Sequence, residues 1–456
     1  MATNDRIPGE LPAIETLQPG WPDSRVWGAL LVGLYLALAA LPLAATLIAA
    51  PPELTDPKSV VSELGRLAAL LGLALVALQV VLTSRLRGLT RPFGLDRVTG
   101  LHRKMGVVAA LLLLSHPLLL AAGHHGWSLL GLDTGWRIWL GKATLLFAVV
   151  VVGLAVSFRK LGLQYQVWRF MHKSAVLVVL LGAGHGLLIG SDLMLQPGLQ
   201  AYVWTLGGLV VAIFGYRNLF VPLWGRRELA VAAVEPQSHD TYSLALQPRD
   251  SRPLAYRPGQ FMFLRLVRPG RRSELHPFTI SSSPTSGWPI TATIKQSGDF
   301  TDTIAETRPG DRARVEAPYG RFSLLHHPQR PLVLIAGGVG ITPLMSMLRF
   351  LRDRSDPRPV RLIFGNQSRR DILFADELAA MPESVAVSHV LSAPDDDWDG
   401  ARGYVTGALI EQAAGELLDR AEFFVCGPPP MMAAVRAALR QLGVERRRIH
   451  WERFTL

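Results

Sequence analysis

The sequence predicts a multi-domain membrane protein: a six-helix all-α transmembrane bundle, then an antiparallel β-barrel, then an α/β Rossmann-like nucleotide domain. Three observations carry that expectation. The long apolar runs of the 456-residue chain fall between residues 28 and 224, whereas 225–456 alternate short apolar runs with charged loops. Four histidines, His102, His116, His172 and His185, lie within or beside two of the apolar segments at matched spacings. A glycine-rich turn, Gly337-Gly-Val-Gly-Ile-Thr-Pro343, joins a buried-strand run to a helical pattern. The chain accordingly divides into a polar, proline-containing tail (1–27), a membrane domain (28–224), a barrel (225–325) and a nucleotide domain (326–456).

The expected spans are Gly28–Ala50, Glu63–Leu82, Gly106–Gly123, Ile138–Phe158, Ser174–Gly190 and Ala201–Phe220. Each approaches the roughly 20 apolar residues that cross a bilayer. The runs from Gly106 and Ser174 are short, but the His-Arg-Lys and His-Lys before them can snorkel and extend them. An even number of spans puts both termini on one side. The loop after the second span carries Arg85, Arg87, Arg91, Arg97, Arg103 and Lys104; the loop after the fourth carries Arg159, Lys160, Arg169 and Lys173. The opposite loops hold Glu53, Asp56, Asp133 and Asp192. The positive-inside rule then places both termini and the soluble half in the cytoplasm of a bacterial-type inner (plasma) membrane. The net charge of +11 is partly this topology signal, and nucleic-acid binding explains it poorly. The first apolar run starts late and is long enough to span, so no cleavable signal peptide is expected. A single cysteine, Cys426, excludes an intrachain disulfide and any cysteine-rich metal or iron–sulfur site.

His102 and His116 are 14 residues apart, His172 and His185 13 apart. At 1.5 Å of rise per residue each pair is separated by roughly 20 Å along a helix, against a hydrocarbon thickness of about 30 Å. Two helices that each offer one imidazole near either membrane face can hold two stacked haems by axial ligation. A lone intramembrane histidine serves equally as a proton relay or an interface residue; the pairing favours ligation. Cations beside His102 and His172 suit haem propionates, and equally lipid phosphates. Gly182, Gly184 and Gly186 around His185 leave room for a flat macrocycle or for close helix packing. On an ideal helix His116 lies within roughly 40° of His102, but His185 lies roughly 140° from His172. Distortion at residues 182 to 186, or rotation of one haem against the other, has to absorb that offset.

In the barrel, Arg257-Pro-Gly-Gln-Phe261 precedes the strand Met262–Val267, and His276-Pro-Phe-Thr-Ile-Ser-Ser282 follows. The backbone of that run and the hydroxyls of Thr279 and Ser281 are placed to meet a flavin edge or its phosphate and ribitol oxygens. Ile294-Lys-Gln-Ser-Gly-Asp-Phe-Thr301, with Gly298 and Thr301, is predicted to enter a helix whose free N–H groups bind the FAD pyrophosphate. Either piece alone is an ordinary strand or helix cap, a reading that explains both at this spacing poorly. His326 and His327 fall in a charged linker and are expected to be solvated.

The glycines Gly337, Gly338 and Gly340 let backbone approach a pyrophosphate, with Thr342 predicted as N-cap and Pro343 as first helical residue. The strand Val360–Phe364 ends without the acid that binds a free ribose 2′-hydroxyl. Ser368, Arg369 and Arg370 follow and suit a 2′-phosphate, so NADPH is favoured and NADH stays open. Phe423-Phe-Val-Cys-Gly-Pro-Pro-Pro-Met431 is a strand entering a turn and helix, in which Cys426 can be a small buried core residue.

These spans, histidine pairs and soluble motifs together resemble the NADPH oxidase and ferric reductase superfamily of transmembrane flavocytochromes, over nearly the whole chain beyond residue 27. The resemblance implies that His102 and His172 hold an inner b-type haem, and His116 and His185 an outer one. His124 and His125 fall in the outer loop after the third span and read as interfacial, with substitute ligation or metal contact the lesser alternative. It implies FAD on His276, Pro277, Phe278, Thr279, Ser281 and Ser282, and a nicotinamide bordered by Cys426, Gly427 and Pro428. Pro318-Tyr-Gly-Arg-Phe-Ser323 matches the junction from barrel to nucleotide domain, and Glu452 and Phe454 fall where an acid and an aromatic lie near the flavin. Phe454 would stack on the ring and be displaced by the nicotinamide, although the chain continues to Thr455 and Leu456. The implied activity passes electrons from cytoplasmic NADPH through FAD and two haems to dioxygen, giving superoxide, or to a ferric chelate. A different class, helices that only anchor a flavin reductase or conduct protons or ions, leaves the histidines without haem.

Overall fold

The computed structural model describes residues 25–49, 54, 56–158, 160–162, 165–190, 196–250, 252–271, 273–327 and 330–453. The chain forms two compact units that meet in sequence between Leu223 and Trp224.

The first unit contains α1 (Arg25–Ala49), α2 (Pro57–Thr83), α3 (Arg87–Phe93), α4 (Leu95–Ala122), α5 (Trp136–Ser157), α6 (Tyr165–Lys173), α7 (Val176–Ile189) and α8 (Pro197–Gly215). Among the described residues six stretches are long and apolar enough to cross a membrane, α6 and α7 together making the fifth. Their outward faces carry Leu30, Leu34, Leu111, Leu146 and Val156 exposed, as a lipid-facing surface requires. Helix α2 starts sharply because the Asp56 carboxylate accepts hydrogen bonds from the Lys58 and Ser59 amides while Pro57 opens the helix. It then packs against α1, α4, α7 and α8. Glycines set the α2–α4 approach: a Cβ on Gly72 would lie 2.9 Å from Leu113, and one on Gly65 3.2 Å from the His116 carbonyl.

Several helices start earlier than the sequence expectation, and two differences bear on the histidines. Helix α4 begins at Leu95 rather than Gly106, so His102 sits inside it. Residues 95–105 mix Leu95 and Val98, both buried, with Asp96, Arg97, Arg103 and Lys104, whose charges interrupt the continuous apolar run that marks a span. The break between the second histidine pair is not at the glycines. It falls at Ser174–Ala175, between α6 and α7, and His185 lies within an unbroken α7. There Ala175, Leu177 and Val178 donate to carbonyls three residues back. A 3₁₀ step turns about 120° instead of 100°, so three such steps cut the offset between His172 and His185 from roughly 140° to roughly 80°.

The second unit begins with an antiparallel sheet of β1 (Arg227–Ser238), β2 (Thr241–Pro248), β3 (Phe261–Val267), β4 (Leu275–Thr279), β5 (Ile290–Lys295) and β6 (Arg312–Tyr319), ordered β4-β3-β6-β1-β2-β5. The Ser281 amide donates to the Thr291 carbonyl just past β4, drawing the two edges together into a barrel. Alternating residues such as Leu244, Leu246, Met262, Leu264 and Ile294 fill its interior. A parallel sheet follows, with β7 (Leu332–Gly337), β8 (Val360–Asn366), β9 (Val385–Leu391), β10 (Ala401–Arg402), β11 (Glu422–Cys426) and β12 (Ile449–Glu452), ordered β10-β9-β8-β7-β11-β12. The order reverses between β7 and β11, which puts a ligand crevice beyond their carboxyl ends. All of β7 is buried, as a central parallel strand should be. Helix α9 (Ile341–Asp353) runs from that crevice.

Candidate functional site

The four membrane histidines gather in two pairs. The rings of His102 on α4 and His172 on α6 are 5.8 Å apart, centre to centre, and nearly perpendicular at 88°. Trp168, one turn before His172, stacks on it at 5.3 Å. Among the described residues the buried Nδ1 atoms of His102 and His172 have no hydrogen-bond partner. His116 lies on α4 and His185 on α7. Each is oriented by backbone: His116 Nδ1 donates to the Gly65 carbonyl at 2.9 Å, and His185 Nδ1 to the Arg137 carbonyl at 3.0 Å. A carbonyl only accepts, so both imidazoles carry their proton on Nδ1 when neutral and present a bare Nε2. That is how a metal-ligating histidine is commonly held. The His185 ring also occupies the space beside Gly141, where a Cβ would come within 2.4 Å of it.

In the barrel, β4 places His276, Pro277, Phe278 and Thr279 in register with Leu264, Phe263, Met262 and Phe261 of β3. His276 stacks on Phe300 at 4.3 Å and bonds Glu274, and Phe278 lies 6.2 Å from Phe300, forming a half-buried aromatic stack. The hydroxyl of Ser281 turns inward, meeting the Thr291 carbonyl and the Thr291 and Thr293 hydroxyls. Its backbone is engaged as well, the amide by the Thr291 carbonyl and the carbonyl by Arg349. The Ser282 hydroxyl likewise accepts from the Thr291 amide and meets the Tyr256 hydroxyl at 3.0 Å. The segment after β5 departs from the predicted helix terminus. Thr301–Glu306 is a six-residue 3₁₀ helix. The Ser297 and Gly298 amides are taken by the Thr301 hydroxyl and the Asp302 carboxylate. Side chains that bond local amides compete with the helix, which leaves fewer N–H groups for a phosphate.

The nucleotide crevice assembles two glycine turns. Gly338 has φ +51°, and Gly340 lies so close to β11 that a Cβ would sit 2.4 Å from the Cys426 carbonyl. Gly337 meets Pro428 and Met431 in the same way, so Gly337, Gly338, Gly340, Cys426, Gly427 and Pro428 converge. Thr342 is not the N-cap. Helix α9 starts at Ile341 after a 3₁₀ turn over Gly338–Gly340, the buried Thr342 hydroxyl bonds the Val339 carbonyl, and Pro343 stands third in the helix. Cys426 is fully buried among the core of the sheet; burial, with the Glu452 charge, pushes its thiol well up. Glu452 pairs in register with Cys426 and reaches Gly320, whose φ of +95° suits glycine alone. Phe454 lies outside the described residues. Ser368 and Asp371 cap each other around Arg369–Asp371. Arg369 Nη2 bonds Asp397 at 3.1 Å and its guanidinium lies over Trp398, whereas Arg370 is exposed with no ion-pair partner among the described residues.

Sequence reasoning passed over two features. Ser346 and Arg349 of α9 bond the carbonyls of Ser282 and Ser281, both at 2.7 Å, joining the barrel to the nucleotide sheet. His327 is only partly exposed and faces Glu422 and His450. Both are contacts between distant stretches of chain, so no local pattern announces them.

Three family models match: a ferric reductase like transmembrane component over 68–183, an FAD-binding domain over 224–323 and an oxidoreductase NAD-binding domain over 334–437. The first takes in His102, His116 and His172 and stops just short of His185. The chain is 33% identical over 230 residues to the stachydrine N-demethylase reductase subunit of Rhizobium meliloti, covering 48% of this chain and 64% of that protein. It therefore spans a little under two thirds of that relative's length. It is 29% identical to the glycine betaine monooxygenase reductase subunit of Chromohalobacter salexigens, over 52% of this chain and 68% of the other. A crystal structure of the FAD/NAD-binding domain of a nitric oxide dioxygenase from Vibrio cholerae aligns with 50% of this chain and 98% of its own, at 26% identity and a TM-score of 0.45.

Proposed function

This chain has the domain architecture of the NADPH oxidase and ferric reductase superfamily, a transmembrane component joined to flavin and NAD modules, and we propose that it carries electrons from cytoplasmic NADPH through FAD and two b-type haems to an acceptor across the membrane. Dioxygen, giving superoxide, is the favoured acceptor and a ferric chelate the alternative.

The observation that carries this reading is the facing of His102 and His172. Two imidazoles on opposite sides of one metal have centres about 6 Å apart, from two metal–nitrogen bonds of about 2 Å plus the ring radii. The observed 5.8 Å and the two unpartnered Nδ1 atoms fit that need. A buried polar atom without a partner costs about 1–3 kcal/mol, which a ligand at this place would relieve. His116 and His185 would hold the second haem through Nε2. When bound, FAD accepts a hydride and the haems pass single electrons; the protein supplies position and potential.

The rest falls to this chain's own residues. Gly337, Gly340 and Gly427 bring backbone amides to the crevice and would hold the dinucleotide pyrophosphate. The strand end at Thr279–Ser282 would border the flavin, with His276 and Phe278 at its rim; the Ser281 amide and the Ser281 and Ser282 carbonyls are already bonded within the protein. Arg349 and Ser346 fix that strand end against α9, so the two modules keep one spacing. Cys426, with its thiol held protonated, contributes shape beside the nicotinamide and no proton transfer.

A second reading rests on the relatives, both named as reductase subunits. The membrane unit would then anchor a flavin reductase that feeds a protein acceptor, with no haem. A reduced-minus-oxidised absorption spectrum of the purified protein separates the two. Two low-spin b-type haems per chain are expected, and replacing His116 and His185 with alanine should remove one while sparing dye reduction. A double variant with full haem content would mean the ligand assignment is wrong, and a spectrum without haem would leave the anchored reductase.

A further inference from the structure

We propose that His327, Glu422 and His450 form a binding site for one divalent transition-metal ion of the zinc type, at the edge of the parallel sheet opposite the nucleotide crevice. Glu422 opens β11 and pairs in register with Leu332, the first residue of β7, while the crevice lies at the other end of both strands. The Glu422 side chain is only 3% exposed. Its Oε2 lies 2.7 Å from His450 Nε2, its Oε1 3.6 Å from His327 Nδ1 and 3.1 Å from Arg330 Nη1. One ligand atom from each of the three residues lies within 4.8 Å of the others.

Donors around a tetrahedral ion with bonds of about 2.0–2.2 Å stand about 3.3–3.6 Å apart, so the three close on an ion by side-chain adjustments of about 1 Å. The surroundings hold them in place. The two imidazoles are 4.6 Å apart, His450 packs on the buried Phe424 at 4.8 Å, and Arg358 reaches the His327 carbonyl. Two imidazoles and one carboxylate make a borderline-soft donor set that suits zinc, copper or nickel and disfavours magnesium and calcium, which prefer oxygen ligands. The incoming ion takes the place of the proton shared by His450 and Glu422, and that proton leaves to solvent. Water fills the fourth position.

The three ligands come from the linker before β7, from β11 and from β12. An ion there staples the linker and the last strand to the sheet, and β12 ends at Glu452 beside Gly320. Metal occupancy thus tightens the strand that reaches the flavin side of the unit, without any residue of the crevice as ligand.

The test uses tag-free, full-length, FAD-loaded protein in detergent, freed of loose metal by a chelator and titrated with zinc chloride against a coloured competitor. The wild type should bind one zinc equivalent more than the double variant His327→Gln/His450→Gln, and His327→Gln alone should weaken that equivalent about tenfold or more. Unchanged FAD content and dye reduction in both variants would show that they fold. Equal zinc uptake by the wild type and a folded double variant, or no uptake by the wild type, overturns the site. Should the double variant lose FAD, the single variant decides on the same criterion.

Discussion

Arg369 and Arg370 are adjacent in sequence and differ in circumstance. Arg369 spends its charge on Asp397, with Asp395 4.0 Å away, and lies over Trp398. Arg370 has no such acid among the described residues. A ribose 2′-phosphate brought near this turn meets one available guanidinium, together with an acidic loop that repels it. Arg370→Ala should therefore cost about 1.5–3 kcal/mol of NADPH binding, the worth of one charged hydrogen bond, and leave NADH binding unchanged. Arg369→Ala should cost less, because an ion pair must first be given up. Titration of both nucleotides into both variants checks this, and equal losses for NADPH and NADH would sink the assignment. The Ser-Arg-Arg run was legible in sequence. The acids that answer it were not, since Asp395 and Asp397 arrive from beyond β9.

At the scale of elements, α9 is where the two cofactor modules are keyed together. Ser346 and Arg349 grip the carbonyls of Ser282 and Ser281, Arg349 forms a two-bond pair with Glu377, and Arg352 adds a third bond. Burial raises the Glu377 carboxyl, but the hydrogen bonds and charges of Arg349 and Arg352 outweigh it and hold it below the usual carboxylate range. The unfolded value is about 4.3. Because the folded value is lower, the pair's contribution is complete above about pH 4.3 and is lost as pH falls through the folded value. Glu377→Gln should lower stability by about 1–3 kcal/mol at pH 7. It should also flatten the acid limb of a stability profile followed by flavin fluorescence. An unchanged acid limb would show that other carboxylates dominate. The helix and strand pattern behind this was readable, with β7, the glycine turn and α9 in their expected order. What the pattern missed are starts and breaks, such as Leu95, Ser174–Ala175 and the 3₁₀ turn at Thr301. Polar flanks and local side-chain bonds set those, and neither has a hydrophobic period.

For the molecule as a whole, the sequence told the membrane half from the soluble half because a lipid-facing helix is apolar on its outside, which no globular helix can be. Histidine spacing marked one imidazole toward either membrane face on each of two segments, whereas the meeting of His102 with His172 is a product of tertiary packing. The proposed wire would make a demand on the whole chain: electrons entering at the flavin and nucleotide unit would reach the far side only with both pairs loaded. In sealed vesicles with the soluble unit outside, NADPH should reduce a soluble dye in the outer medium and also an acceptor trapped inside. His116→Ala/His185→Ala should keep the first reaction near wild type and lose the second by about two orders of magnitude or more, since no single residue replaces an electron carrier. If the variant still reduces the trapped acceptor, electrons do not pass through that pair. The wild type also separates the acceptors. Reduction of trapped cytochrome c that internal superoxide dismutase abolishes indicates dioxygen, whereas anaerobic reduction of a trapped ferric chelate, without superoxide in air, indicates a metal reductase.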